Sequence, residues 1–313
     1  MQMIEVKNIS KSINGKQIVS NINLKVRQGE FFALLGPNGA GKTTMIRLIM
    51  GVLKLDSGSV HLFGEDTNEA NIEDLKRRIG VQNDANLYEN WTVYENMKIW
   101  GHLYGLYGDK LDERINDLLN FFDIENKIDA KVSSLSKGMK QKVLLSRSII
   151  HQPELLILDE PTSGLDPQTQ ENLIHYLKKL AEDQKLSILM CTRQLDGLEH
   201  IINNCAIIQK GAIKLQGDPD LLIDQRWPLK RYVLEATPVN EAKKICEAKH
   251  SINLYKNTEN KLYIASKDKH EIPLLAKDLV TAGIDIFSIS ECKYTIKDLY
   301  FDVINEGEAS HYE

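Results

Sequence analysis

The sequence predicts an α/β fold with a central, mostly parallel sheet, accompanied by a smaller α+β domain. Three observations carry that prediction. A glycine-rich loop, residues 36–44, lies between a continuous apolar run and a segment of helical periodicity, the order strand, loop, helix. Two further apolar runs, 155–158 and 186–191, are continuous and not alternating, as expected of parallel strands buried on both faces. With 313 residues, 42% of them hydrophobic, the chain can build one large core and one smaller one, and its pattern changes register near Gly217-Asp218-Pro219. The expected domains are 1–218 and 219–313.

Taken in order, residues 3–8 and 18–26 alternate apolar and polar side chains around Asn14-Gly15, which predicts an antiparallel opening. Phe31–Leu35 is the strand that enters the glycine-rich loop, and a helix follows over 43–50. Between this unit and the run at 155–158, residues 94–129 read as helical. Leu111, Ile115, Leu118 and Leu119 are spaced there for one face, so an inserted helical lobe is expected over about 88–150. After Trp227-Pro228 the pattern reads strand, helix, strand, strand, helix, strand and a last helix, with strands at 232–235, 252–255, 262–265 and 284–289. Two βαβ-like halves are implied. No low-complexity linker separates them from the first domain, so the two are expected to pack together.

Composition narrows the function. The 39 basic and 44 acidic side chains give a formal charge of −5, so no global basic field exists to hold nucleic acid or an anionic membrane. The longest apolar stretches, 48–53 and 143–150, fall short of the roughly 20 residues of a spanning helix. The opening Met-Gln-Met-Ile-Glu reads as strand and not as a signal peptide, so a soluble chain with a cytoplasmic address is expected. Cys191, Cys205, Cys246 and Cys292 are scattered without a Cys-x-x-Cys pair, which predicts buried, reduced thiols.

Gly36-Pro37-Asn38-Gly39-Ala40-Gly41-Lys42-Thr43-Thr44 fits the phosphate-loop pattern G-x-x-x-x-G-K-[ST] in the strand-to-helix context that the pattern needs. Glycines are required because the backbone must wrap a phosphate with its N–H groups turned inward. The amino end of the following helix adds positive potential. Lys42 is expected on the β- and γ-phosphates of ATP, and Thr43 on Mg²⁺. The competing reading is a glycine-rich turn that merely opens a core helix. The run 155–158 delivers Asp159 and Glu160 to the carboxyl end of a strand, where α/β folds place ligands. Asp159 suits the Mg²⁺ shell, and Glu160 suits the positioning of an attacking water. Without the loop upstream, the pair would read as a solvated strand end.

Together these residues resemble the ATP-binding-cassette family, whose motifs cover residues 1 to about 215 in their usual order. Leu135-Ser136-Lys137-Gly138-Met139 is similar to the family's signature, with Ser136 capping a helix. The resemblance implies that Ser136 and Gly138 close over the γ-phosphate held by a second subunit. Ser163-Gly164-Leu165-Asp166 resembles the loop through which the two subunits sense each other. In the glutamine loop, Gln82 or Asp84 could meet Mg²⁺ and the lytic water, and Gln82 is chosen. The family's switch histidine is replaced by Arg193, which could donate to the γ-phosphate but lacks an imidazole's proton chemistry. Ile13 stands where an aromatic usually stacks on adenine. Aromatic residues between 87 and 107 (Tyr88, Trp91, Tyr94, Trp100, Tyr104 and Tyr107) read either as lobe core or as the groove for a helix of a membrane subunit.

The fold implied is a P-loop NTPase of the ATP-binding-cassette type, comprising a mostly parallel sheet, an antiparallel β subdomain and a helical lobe, with a small α+β carboxyl domain. The function implied is ATP hydrolysis powering export through a separate membrane permease. The partners implied are that permease and a second ATP-binding subunit, as a homodimer or with a paralogue. Membrane contact would run through the permease only, at the inner face of the cell membrane. The carboxyl domain resembles the accessory domain of drug, antibiotic-resistance and sodium-efflux motors. The alternatives are a soluble ATPase or nucleotide switch of the same fold not coupled to transport, and an unrelated P-loop kinase.

Overall fold

The computed structural model describes residues 1–83, 87–183, 185–258 and 260–309, and the side chains to 306. Asp84, the alternative to Gln82, lies outside the described residues. The chain divides into two compact units: Met1–Pro219 together with Tyr300–Glu313, and Asp220–Leu299.

In the first unit, β1 (Gln2–Ile13) and β2 (Lys16–Arg27) form a long antiparallel hairpin turned by Asn14 and Gly15, both at positive φ. The φ > 0 geometry at both turn residues matches the twist of the strands that they join. After β3 (Phe31–Leu35) and α1 (Lys42–Ile49), β4 (Ser57–Leu62) and β5 (Glu65–Asp66) complete a sheet of order β2-β1-β4-β5. Then come α2 (Ile72–Lys76), β6 (Ile79–Gln82), α3 (Val93–Leu103), α4 (Gly108–Phe121), α5 (Lys137–Ser148), β7 (Leu155–Asp159), α6 (Pro167–Asp183), β8 (Ser187–Thr192), β9 (Asn204–Gln209) and β10 (Ala212–Gly217). The second sheet has the order β10-β9-β3-β8-β7-β6 and is parallel except for β10.

The apolar runs explain that topology. Every residue of β3, β7 and β8 is buried, so these strands need cover on both faces and occupy the middle of the sheet. Each buried Val, Leu or Ile contributes about 1.5–3 kcal/mol relative to exposure. The parallel register carries the carboxyl ends of β3, β8, β7 and β6 to one edge: Leu35 opposite Thr192, Asp159 opposite Cys191, and Gln82 opposite Leu158.

The lobe is α3, α4 and α5. Thr92 and Glu95 close a capping box at the start of α3. Leu111, Ile115, Leu118 and Leu119 are all buried, as their spacing predicts. Below the lobe, His151 stacks on Tyr104 with ring centroids 3.7 Å apart, and its Nε2 lies 3.1 Å from the Ile79 carbonyl oxygen. Burial, with the neighbouring Arg114 cation, lowers the His151 pKa from 6.5 to about 4, against the pull of that carbonyl. An unfolded chain therefore binds a proton here that the folded one refuses. His151 costs nothing above pH 6.5, and stability is lost as the pH falls from 6.5 towards 4, by at most about 3 kcal/mol. We expect His151→Phe, which keeps a ring against Tyr104, to reduce the drop in urea midpoint between pH 7.5 and pH 5. An unchanged drop assigns the acid sensitivity elsewhere.

The second unit opens with α7 (Pro219–Arg226). It comprises β11 (Lys230–Thr237), α8 (Val239–Ala248), β12 (Ile252–Asn257), β13 (Lys261–Ser266), α9 (Glu271–Thr281) and β14 (Asp285–Cys292), in a sheet of order β12-β13-β11-β14 whose pairings are all antiparallel. The element order is as read from the sequence. The βαβ halves are split, however: β11 and β12 do not pair, because β13 lies between them. The last helix, α10 (Ile296–Ala309), also departs from the expected 219–313 domain, since from Tyr300 onward it groups with the first unit. Tyr300 is buried there, and Gln209 Nε2 donates to the Ile304 carbonyl at 3.1 Å.

Candidate active site

The edge to which the parallel strands deliver their carboxyl ends holds a cluster of polar and charged side chains. The loop after β3 turns through Gly39 at φ 76° and Gly41 at φ 109°, a region closed to most L side chains. At Gly36 the constraint is space, because a Cβ there would sit 2.5 Å from the Ile208 carbonyl oxygen. The loop can therefore lie close against β9, where the Gly36 N–H donates to the Thr192 carbonyl and the Ala40 N–H to the Pro37 carbonyl, both at 3.2 Å. The amides of Lys42, Thr43 and Thr44, in the first turn of α1, have no carbonyl within the helix to bond, and Gly41 brings no side-chain cap. Pro37 is half-buried, Asn38 is exposed and Ala40 is buried.

Lys42 is buried, and its ammonium donates to the carbonyls of Gly36 at 2.7 Å and Pro37 at 3.2 Å. It also pairs with Glu160 Oε1 at 3.0 Å. Thr43 Oγ1 donates to Asp159 Oδ2 at 2.7 Å, tying the start of α1 to the end of β7. Glu160 stands at φ 48°, a left-handed conformation rare outside glycine and a form of backbone strain found at functional positions. Its Oε2 accepts from Thr192 Oγ1 and from the Arg193 backbone N–H, both at 3.2 Å. A carboxylate fixed at both oxygens at a strand edge can orient a water. Cys191, beside it in the sheet, has its thiol pushed far up by burial and then by the Asp159 carboxylate, so it stays a neutral thiol.

Gln82 is buried at the carboxyl end of β6, and its Oε1 has no hydrogen-bond partner among the described residues. Leaving an acceptor buried and unsatisfied costs about 1–3 kcal/mol. Arg193 is exposed. Its main chain reaches the cluster, whereas the sequence pointed to its side chain. Ile13 ends β1 beside the hairpin turn, paired with Lys16 and 38% exposed.

Ser136, Gly138 and Asp166 form a separate group. Ser136 caps α5, accepting from the Met139 N–H at 3.3 Å. Asp166 accepts from Thr169 N–H at 3.0 Å and Oγ1 at 2.6 Å, and these bonds hold its carboxyl below the ordinary range. A Cβ on Gly138 would meet Thr169 Cγ2 at 2.5 Å, so the signature and the Asp166 loop are packed through Thr169.

Three contributors escaped the sequence reading. Thr192 fixes Glu160. Gln194 Oε1 accepts from Thr162 Oγ1 at 2.8 Å, joining the switch segment to the loop after Glu160. Tyr300 has its phenol pKa raised by burial and then by the Glu160 carboxylate. None has a local pattern, since each acts through a neighbour distant in sequence.

Comparison with known proteins agrees with the geometry. Residues 19–163 match the family model for ABC transporters. The ABC transporter ATP-binding protein YdbJ of Bacillus subtilis is 32% identical over 302 residues, covering 95% of this chain and 93% of its own length. The chain belongs to the ABC transporter family. It is an ATP-hydrolysing, ATP-binding subunit of that family, with an α/β cassette fold. The Nod factor export ATP-binding protein I of Cupriavidus metallidurans is 38% identical over 71% of this chain and 73% of its own length. Among solved structures, the cbiO1 protein from Clostridium perfringens, part of the complex cbiONQ, superposes with a TM-score of 0.64 at 26% identity, covering 72% of this chain and 96% of its own. The cassette MJ0796, a dimer bound to ADP and Pi, gives 0.62 at 25% identity, covering 69% of this chain and 98% of its own. No helix among the described residues is long and apolar enough to cross a membrane.

Proposed function

We propose that this subunit powers export through a separate membrane permease, working at the inner face of the membrane as one of a pair of cassettes. The single observation behind the pair is that the site residues bond in two groups. Lys42, Thr43, Asp159 and Glu160 form one cluster, and Ser136, Gly138 and Asp166 form another that hydrogen-bonds and packs within itself. A second copy, or a paralogue, supplies the missing half to each site. Export is favoured by the likeness to Nod factor export proteins, although a methionine import ATP-binding protein of Clostridium acetobutylicum is also 34% identical over 70% of this chain. Tyr88, Trp91, Tyr104 and Tyr107 are exposed on and around the lobe and suit contact with a permease helix. The second unit, 220–299, acts as an accessory domain.

The residues fit Mg²⁺. Thr43 Oγ1, Asp159 and the unsatisfied Gln82 Oε1 are hard oxygen donors at the strand edge. When bound, the ion neutralises charge on the β- and γ-phosphate oxygens. The free amides at the start of α1, those of Lys42, Thr43 and Thr44, meet the phosphates, and Lys42 turns from its carbonyls to the β- and γ-oxygens. Glu160 orients a water in line with the γ-phosphorus. As the new P–O bond forms, the bond to the β-phosphate oxygen breaks, releasing ADP and Pi. The partner's Ser136 and Gly138 donate to the γ-phosphate, and Arg193 borders it in place of an imidazole.

The test is the Mg²⁺-dependent ATPase rate of the purified chain against its concentration. A rate rising more than linearly is expected from sites completed by association. A specific rate constant over a hundredfold dilution range would overturn the paired site.

A further inference from the structure

The second unit carries a cleft that ATP hydrolysis does not use. Tyr232, Leu234, Ile252, Leu262 and Ile264 form its core with residues of α8 and α9. Alternate residues of the strands point to the other face. Arg231 pairs with Ala265 on one side and Cys292 on the other, and Ala265 pairs with Asn253, so these four make one row across the sheet. On this row lies a cleft of about 420 Å³, within the size range of small-molecule sites.

Its walls are aromatic and cationic. Trp227 stacks on Tyr294 with centroids 4.1 Å apart and planes 4° from parallel. The Arg231 guanidinium lies 3.5 Å from the Tyr294 ring centroid. Tyr255 stands on the rim, 46% exposed. Two arginines, Arg226 and Arg231, line the cleft and no carboxylate does; Trp227, Arg231 and Tyr294 also border the neighbouring cleft, which Asp220, Asp224 and Glu291 line. Arg231 Nε is buried with no hydrogen-bond partner among the described residues. An unsatisfied donor on a permanent cation costs more than a neutral one, and a carboxylate meeting the guanidinium side-on would satisfy it. Both faces of Tyr294 are covered, by Trp227 and by Arg231, so a flat ring would meet Trp227 and Tyr255.

We propose that this cleft binds a small planar aromatic anion, its acidic group on Arg231 and its ring against the Trp227 and Tyr255 side chains. The site lies wholly within 220–299 and does not depend on the transport reading. The test is equilibrium dialysis of 2-naphthoate against the full chain, with and without saturating Mg·ADP. Saturable binding at one equivalent, unchanged by ADP, is expected. Arg231→Gln should weaken it at least about tenfold, the loss of one charge-assisted bond, and neutral 2-naphthamide should bind more weakly than 2-naphthoate. Tyr255→Ala, which removes an exposed wall without touching the stack, should weaken it too and serves if Arg231→Gln fails to fold. No saturable binding, displacement by ADP, or equal affinity in the folded variants would overturn the proposal.

Discussion

Glu160→Gln is expected to lower kcat for ATP by about 10²–10⁴-fold, the range for removing a positioned base, while ATP affinity stays level or rises. The two halves of that expectation come from the two carboxylate oxygens. Oε2 is held by Thr192 Oγ1 and the Arg193 N–H, and an amide oxygen can accept from the same donors, so the side chain keeps its place. Oε1 pairs with Lys42, and an amide NH₂ there meets the ammonium without attraction. Lys42 is then released toward the phosphates. The left-handed backbone at Glu160 strains both residues alike. Single-turnover hydrolysis and nucleotide titration on the same sample separate the two effects. Normal turnover would remove Glu160 from the role of orienting water, and a loss of affinity would contradict the Lys42–Glu160 competition.

What was legible in the sequence was what local backbone geometry dictates. The glycines of residues 36–44 announce a loop that no other residue could form, and the fully apolar strand before Asp159 announces its own burial and end point. The helical lobe was legible because Leu111, Ile115, Leu118 and Leu119 encode a period. The neighbours that set the chemistry were not legible, because strand order carries no local signal. β8 lies beside β7 and pairs Cys191 with Asp159, which makes the next residue, an ordinary strand-end threonine, a partner of Glu160. Arg193 shows the same limit. Its identity drew attention to a side chain, while the N–H that reaches Glu160 would belong to any residue except proline. Tyr300 joins the first unit across a whole intervening unit, and nothing in its flanking residues marks that return.

Lys42→Ala is expected to reduce ATP affinity by about 10²-fold or more, since a cation bonded to phosphate in a desolvated loop is worth roughly 3 kcal/mol. The substitution also disturbs the empty site. The ammonium bridges the Gly36 and Pro37 carbonyls and Glu160, so its loss leaves two carbonyls and a partly buried carboxylate without their donor. Part of any measured defect is therefore destabilisation and not lost phosphate contact. The double variant Lys42→Ala with Glu160→Gln separates the two. Removing the orphaned negative charge should restore part of the thermal stability lost in Lys42→Ala and leave ATP binding as weak as in the single variant. The stability effects of two groups in contact need not add. Recovery of ATP affinity in the double variant would mean that Lys42 serves mainly to neutralise Glu160, and the phosphate contact assigned to it would fall.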